Sequence, residues 1–337
     1  MGSLLLHTVR MNSTKSKTES LSTTQPRKQL VSVSDTPYYH VVSRCARRAY
    51  LCGHDPLTGK SYEHRRQWIE NRIRILSSIF SIDICAYSVM SNHFHLVVKI
   101  LPDEIDQLSN EDVAERWCSL FKGPILVQRW QAGESLCSAE LQTVDDCIKL
   151  YRKRLASLSW FMRCLNEPIA RQANKEDLCT GHFWESRFKS QALLSEEAVL
   201  SCMAYVDLNP VRADMVTTPE ASEYTSIKER IKPQFNPDLA VKEQIEHQNL
   251  LRFNIATKPL ARFEGNEKNG QHSGVLFSLI DYLELVDFTG KIIRPDKCGA
   301  IPDNLPPILE RMGIDLETWL TNTTEFDSIY CKRFAKP

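Results

Sequence analysis

The stretch that most constrains this chain runs from Ile82 to Ile100. Two apolar, strand-forming segments flank Met90-Ser91-Asn92, and His93-Phe94-His95 opens the second of them. Two such runs separated by a few turn-prone residues predict a β-hairpin, with strands Ile82–Val89 and His93–Ile100. In an extended chain, side chains i and i+2 share a face, so His93 and His95 present two imidazoles together. Phe94 and Leu96 then point into the core. Two imidazoles on one strand make half a metal site. An isolated His-x-His is more often a pair of half-exposed strand residues, so its meaning depends on what the rest of the chain brings to it.

The flanking pattern predicts how the hairpin is housed. Tyr38 to Arg44 alternates and is rich in aromatic and β-branched residues, which predicts a first strand. Trp68, Ile69, Arg72, Ile73, Leu76 and Phe80 recur at helical spacing, predicting a helix over about 63–80. Cys147–Ala173 reads as one basic amphipathic helix, broken or kinked at Pro168. Phe183–Leu194 reads as a strand, His182 as the residue that starts it, and Glu196–Asn209 as a helix with Ser195 as N-cap. The order β-α-β-β-α-β-α is the α+β, ferredoxin-like (RRM-like) pattern: an antiparallel sheet with helices on one face, and the His93–His95 strand central. Around this core the sequence predicts a flexible tail over 1–36, an acidic insertion with some helix over 101–146, and a polar linker over 217–275. A small helical C-terminal module over 276–337 has helices at Phe277–Leu285 and Pro307–Leu320.

Charge distribution sharpens what this scaffold serves. The 337-residue chain has zero formal net charge. Residues 37–100 nonetheless hold nine basic against four acidic residues, and 147–191 repeat that nine against four. Between them, 101–146 hold three basic and ten acidic residues. Two basic blocks suit a phosphate-binding surface, although a solvated mixed-charge face fits the same counts. No run approaches the roughly 20 apolar residues of a membrane helix, and no long apolar leader opens the chain. The eleven cysteines include no Cys-x-x-Cys pair, which implies reduced thiols in the cytoplasm and excludes a zinc finger.

The last core helix carries Tyr205-Val206-Asp207-Leu208-Asn209-Pro210-Val211-Arg212. Tyr205 and Asn209, four apart, lie about 40° around the axis and about 6 Å along it. Tyr205 falls at the edge of the stripe formed by Val199, Met203 and Val206, where an ordinary core tyrosine also sits. Asn209 before Pro210 equally suits a helix C-cap. Asp207 is turned about 200° from Tyr205 and is the weaker partner for it.

His93-Phe94-His95 after Met-Ser-Asn resembles the HUH motif of the single-tyrosine transposases. Gly181-His182-Phe183-Trp184-Glu185-Ser186-Arg187-Phe188, followed by Tyr205 to Ala213, resembles the downstream block of the REP-associated tyrosine transposases. The likeness covers roughly residues 37–216, and the family's compact members are about half as long as this chain. It implies an HUH endonuclease fold and Mg²⁺ or Mn²⁺ held by His93, His95 and Asn209. It further implies Tyr205 as a nucleophile that forms a 5′-phosphotyrosine. Its partner would be single-stranded DNA bearing a repetitive-palindrome hairpin, handled by a monomer or homodimer in the cytoplasm, associated with the nucleoid. Arg44, Arg47, Arg48, Trp184, Arg187, Lys189 and Arg212 are the candidate DNA contacts. Two other readings compete: a relaxase or replication initiator, which commonly adds a third histidine to the metal cluster, and a ferredoxin-like module that holds hairpin DNA or RNA without cutting it.

Overall fold

A computed structural model describes residues 32, 34–46, 51–56, 58–265, 274–275, 277–292 and 297–311. The expected tail, Arg47, Arg48 and the distal part of the C-terminal module lie outside the described residues, apart from residues 32 and 34–36 of the tail. Four strands form the sheet: β1 Tyr38–Arg44, β2 Ile82–Val89, β3 His93–Ile100 and β4 Lys189–Ala192. Their spatial order is β2-β3-β1-β4, and every neighbouring pair is antiparallel. β3 is therefore central, as the hairpin reading required. The turn closes with the Met90 amide donating to the His93 carbonyl at 2.9 Å. Cys45 and Cys52 amides hold the Asn92 and Ser91 carbonyls at 2.8 and 2.9 Å.

Helix α1, His64–Ile79, crosses one face of the sheet. Ile69, Ile73 and Leu76 are fully buried against Val41, Phe94, Leu96 and Val98. The expected insertion is helical throughout much of its length: α2 Pro102–Gln107, α3 Asn110–Cys118, α4 Ile125–Gln131 and α5 Ser138–Leu155. Its apolar residues Val113, Trp117, Val127 and Val144 join that same core, which leaves its acidic side chains outside. Helix α6, Leu158–Glu176, follows after a break at Ala156-Ser157. One helix over 147–173 was expected; the chain instead breaks before Leu158 and runs through Pro168, which α6 keeps buried inside it. The break costs little because Ala156 and Ser157 donate to the Arg152 and Arg154 carbonyls, ending α5 cleanly.

The opposite face is covered as well, where the sequence predicted helices on one side only. Helix α7, Glu196–Asp207, begins at Ser195, whose hydroxyl accepts from the Ala198 amide. Val199, Met203 and Val206 meet Ala86 and Val97 in a second core. Cys85 is the extra residue of a β-bulge between Ile84 and Ala86, and the shift turns Cys85 and Ala86 toward this second core. The short helix α8, Asn209–Arg212, continues from α7.

The segment expected as a linker closes the β2 edge. Val89 donates to the Tyr224 carbonyl, Ser226 Oγ accepts from the Tyr87 amide, and Arg230 holds the Cys85 carbonyl at 2.7 Å. Helices α9 Ser226–Ile231 and α10 Pro237–Glu246 lie in it. Helix α11, Leu279–Lys291, then places Tyr282, Leu283 and Val286 in the second core, and α12, Ile308–Arg311, follows. β4 is shorter than the expected Phe183–Leu194. Phe183 and Trp184 pack into the α1/α6 core, edge-on to each other with centroids 4.9 Å apart, and Trp184 keeps only an isolated antiparallel bridge to Cys45, so the pairing with β1 is interrupted between Glu185 and Lys189.

Candidate metal and nucleophile site

β-Register decides what stands beside the imidazoles. His95 pairs with Val42 and His93 with Arg44, so His40, Val42 and Arg44 share the face of His93 and His95. His95 is 5% exposed. Its ring stacks on His40 with centroids 5.2 Å apart and planes 7° from parallel. Its Nδ1 lies 2.9 Å from His40 Nε2, a hydrogen bond. Its Nε2 is buried and has no hydrogen-bond partner among the described residues. The His93 ring stands 4.8 Å from that of His95, and its Nδ1 lies 2.5 Å from Asn92 Oδ1. In both rings the Nδ1 is engaged, and the buried Nε2 of His95 is left without a partner among the described residues.

Burial drives all three imidazoles toward the neutral form. It lowers His93 to about 4, with Arg44 and Lys297 adding to the effect. It lowers His95 to about 2, helped by His93, His40 and Lys297. His40 is lowered by burial alone. Neutral imidazole is the ligating form.

Helix α7 lays Tyr205 over this cluster. The Tyr205 ring stands edge-on to His95 at 5.6 Å and 88°, and to His40 at 6.1 Å and 83°. Tyr205 remains 39% exposed, so it is open to solvent. One helical turn on, Asn209 opens α8 and is not the helix C-cap; Leu208 caps α7. The Asn209 side chain is 7% exposed, and its amide nitrogen is buried without a hydrogen-bond partner among the described residues. The buried His95 Nε2, without a protein partner among the described residues, suits a site that a ligand completes. Among the described residues no three His, Cys, Asp or Glu side chains could hold a metal ion. The donor the sequence expected beside the two imidazoles, the Asn209 amide, is of a residue type outside that set. Two imidazole nitrogens and an amide oxygen form a mixed set that accepts Mg²⁺ or Mn²⁺ once phosphate adds oxygens.

Asp207 is committed elsewhere. Its Oδ1 accepts from Ser226 Oγ at 2.5 Å and the Ile227 amide at 3.0 Å, and its Oδ2 from Tyr282 Oη at 2.5 Å. Burial pushes its carboxyl up to about 6.

The expected DNA contacts divide. Arg44 is exposed on the imidazole face, 3.8 Å from Glu185, and Lys189 is exposed on the same face, opposite Val42. Arg187 is exposed in the loop before β4. Trp184 does not stand free as a base-stacking platform. Its indole donates to the Asn166 carbonyl at 2.8 Å and its ring meets Phe94 edge-on at 5.7 Å. Arg212 is buried, and its guanidinium donates to the Thr289 and Ile292 carbonyls at 2.6 and 2.7 Å, so it fastens α11. The basic block 37–100 also loses cations to the interior. Arg65 pairs with Glu176 and Asp177, Arg72 with Gln244 and the Cys164 and Asn249 carbonyls, and Arg74 with Glu229.

Sequence reasoning missed His40. Alternation in β1 marks its face, but only the β1–β3 register, a non-local fact, sets it against His95. A third histidine is thus present, yet among the described residues the three imidazoles are not arranged as a three-ligand metal group of the relaxase kind.

No protein-family model matches the chain, and no curated protein matches it. The fold is similar to that of a solved structure described as the REP associates tyrosine transposase bound to a REP hairpin, with TM-score 0.31 and 12% identity. The match spans 60% of this chain and 84% of that one, a weak likeness of fold.

Proposed function

We propose that the chain is a metal-dependent single-strand DNA nuclease and strand transferase of the single-tyrosine HUH type, resembling the REP-associated tyrosine transposases. The observation that carries this reading is the edge-on approach of Tyr205 to His95, 5.6 Å away, on the face where His95 Nε2 has no protein partner. Mg²⁺ or Mn²⁺ held by His93, His95 and the Asn209 amide would act as a Lewis acid on the phosphodiester. The chain's own groups do the rest. His40 accepts the Nδ1 proton of His95, which fixes the ring and leaves Nε2 as a lone pair. Asn92 holds the His93 ring in the same manner. Arg44 and Lys189 offer cationic contacts to the strand.

Tyr205 Oη attacks the phosphorus: an O–P bond to the phenol forms and the P–O3′ bond breaks. The phenolic proton is lost and the departing 3′ oxygen takes one up, leaving a 3′-hydroxyl. The 5′-phosphotyrosine keeps the bond energy, so a 3′-hydroxyl attacking it rejoins strands and restores the phenol without ATP. By resemblance the strand carries a short hairpin, and the protein works in the cytoplasm on the nucleoid. The reading is tested with labelled, hairpin-bearing single strands and Mn²⁺. Expected is a denaturation-resistant protein–DNA adduct that disappears with EDTA and in Tyr205→Phe, while hairpin binding by that variant persists. Undiminished adduct in Tyr205→Phe overturns Tyr205 as nucleophile.

A further inference from the structure

Beside Tyr205, between α7 and α11, the C-terminal module walls off a cleft of about 290 Å³. Ser201, Ala204 and Tyr205 of α7 form one wall, and Leu285 and Ile292 face them from α11 and its end. Among the described residues Lys297 and Arg212 are the cations lining the cleft, and Arg212 is already spent on the Thr289 and Ile292 carbonyls. The volume is near the lower end of ordinary ligand pockets, about 300 Å³. A small apolar chamber with a lysine at its rim, sharing a wall with an exposed phenol, suits a sugar and base with one phosphate. The charge on Lys297 is also felt by both His93 and His95, as that of Arg44 is felt by His93.

The module is held firmly enough to serve as a wall. Arg212 fastens the Thr289 and Ile292 carbonyls, Tyr282 reaches Asp207, and the Gly299 amide donates to the Arg212 carbonyl at 3.4 Å. Gly299 lies so close to the Val211 carbonyl that a side chain there would collide with it.

We infer that this cleft binds the nucleotide next to the scissile phosphate, with Lys297 contacting its backbone phosphate and Leu285 and Ile292 packing on its sugar and base. The C-terminal module is then a working part of the DNA site. This rests on the strand-cleavage reading for its substrate, single-stranded DNA.

Binding of fluorescein-labelled oligothymidylate by the full chain is followed by anisotropy across a salt series, which needs no catalysis. One lost phosphate contact flattens the slope of log affinity against log salt by about 0.7 on single strands. That flattening is expected for Lys297→Ala, with the wild-type slope restored by Lys297→Arg. Ser201→Trp, which fills the cleft from the other wall, is expected to weaken binding at least tenfold. A wild-type slope in Lys297→Ala, with affinity unmoved in Ser201→Trp, overturns the inference even if Tyr205 still captures DNA. A flattened slope in Lys297→Ala supports the cleft as a DNA wall even where adduct assays of Tyr205→Phe sink the cleavage reading.

Discussion

At the scale of single residues, the account turns on His40. It makes no contact with phosphate in the proposed chemistry, which has it accept the Nδ1 proton of His95 across the 2.9 Å hydrogen bond so that Nε2 is free to ligate. Removing such a partner of a ligating histidine costs about 10–100-fold in metal affinity. His40→Ala is therefore expected to weaken Mn²⁺ binding by that factor in a calorimetric titration, and His40→Asn or His40→Gln to recover part of it. Unchanged affinity in His40→Ala would show that His95 needs no orienting partner. Asp207 makes the contrasting case. Tyr282→Phe removes one of the three hydrogen bonds on a fully buried carboxylate and is expected to lower stability by about 1–2 kcal/mol in urea denaturation. A variant as stable as the wild type would contradict a role for that bond in docking α11.

At the scale of elements, what was legible in the sequence follows how local the cause is. β2, β3 and β1 were readable to their ends because alternation and turn chemistry specify them within a few residues. The start of α7 was readable from Ser195 for the same reason. The α5–α6 break, the shortening of β4 and the edge pairing of 224–226 were not. Each is decided by partners distant in sequence: Trp184 meets Phe94 and keeps a single bridge to Cys45, and Tyr224 pairs with β2 across a gap no periodicity marks. The site was half legible on the same grounds. His93, His95 and Tyr205 announce themselves by spacing on two elements, whereas His40 reaches them through the β1–β3 register. Arg212 was misread because its motif position gives no sign that α11 would bury it. Arg212→Ala is expected to cost about 2 kcal/mol through the Thr289 and Ile292 carbonyls, read as a lower urea midpoint. A midpoint equal to the wild type would return Arg212 to the candidate DNA contacts.

At the scale of the whole molecule, one sheet serves two purposes. One face is a structural core shared by α1, α6 and the acidic insertion, and several arginines that looked like a phosphate surface are spent there on internal partners. The other face carries the imidazoles beneath α7, with Arg44, Lys189 and the docked C-terminal module around them. Separating the acidic insertion from the imidazole face by the thickness of the sheet keeps its negative charge away from where a phosphate would bind. No described helix is long and apolar enough to cross a membrane. The central claim is that a phenol on a helix and two imidazoles on a strand act on one phosphodiester. Peptide mapping by mass spectrometry of the adduct formed with a hairpin-bearing strand and Mn²⁺ tests it most directly. The account predicts a nucleotide mass on the peptide containing Tyr205, located to that side chain; an adduct on any other residue, or none under conditions where the strand is cut, would contradict it.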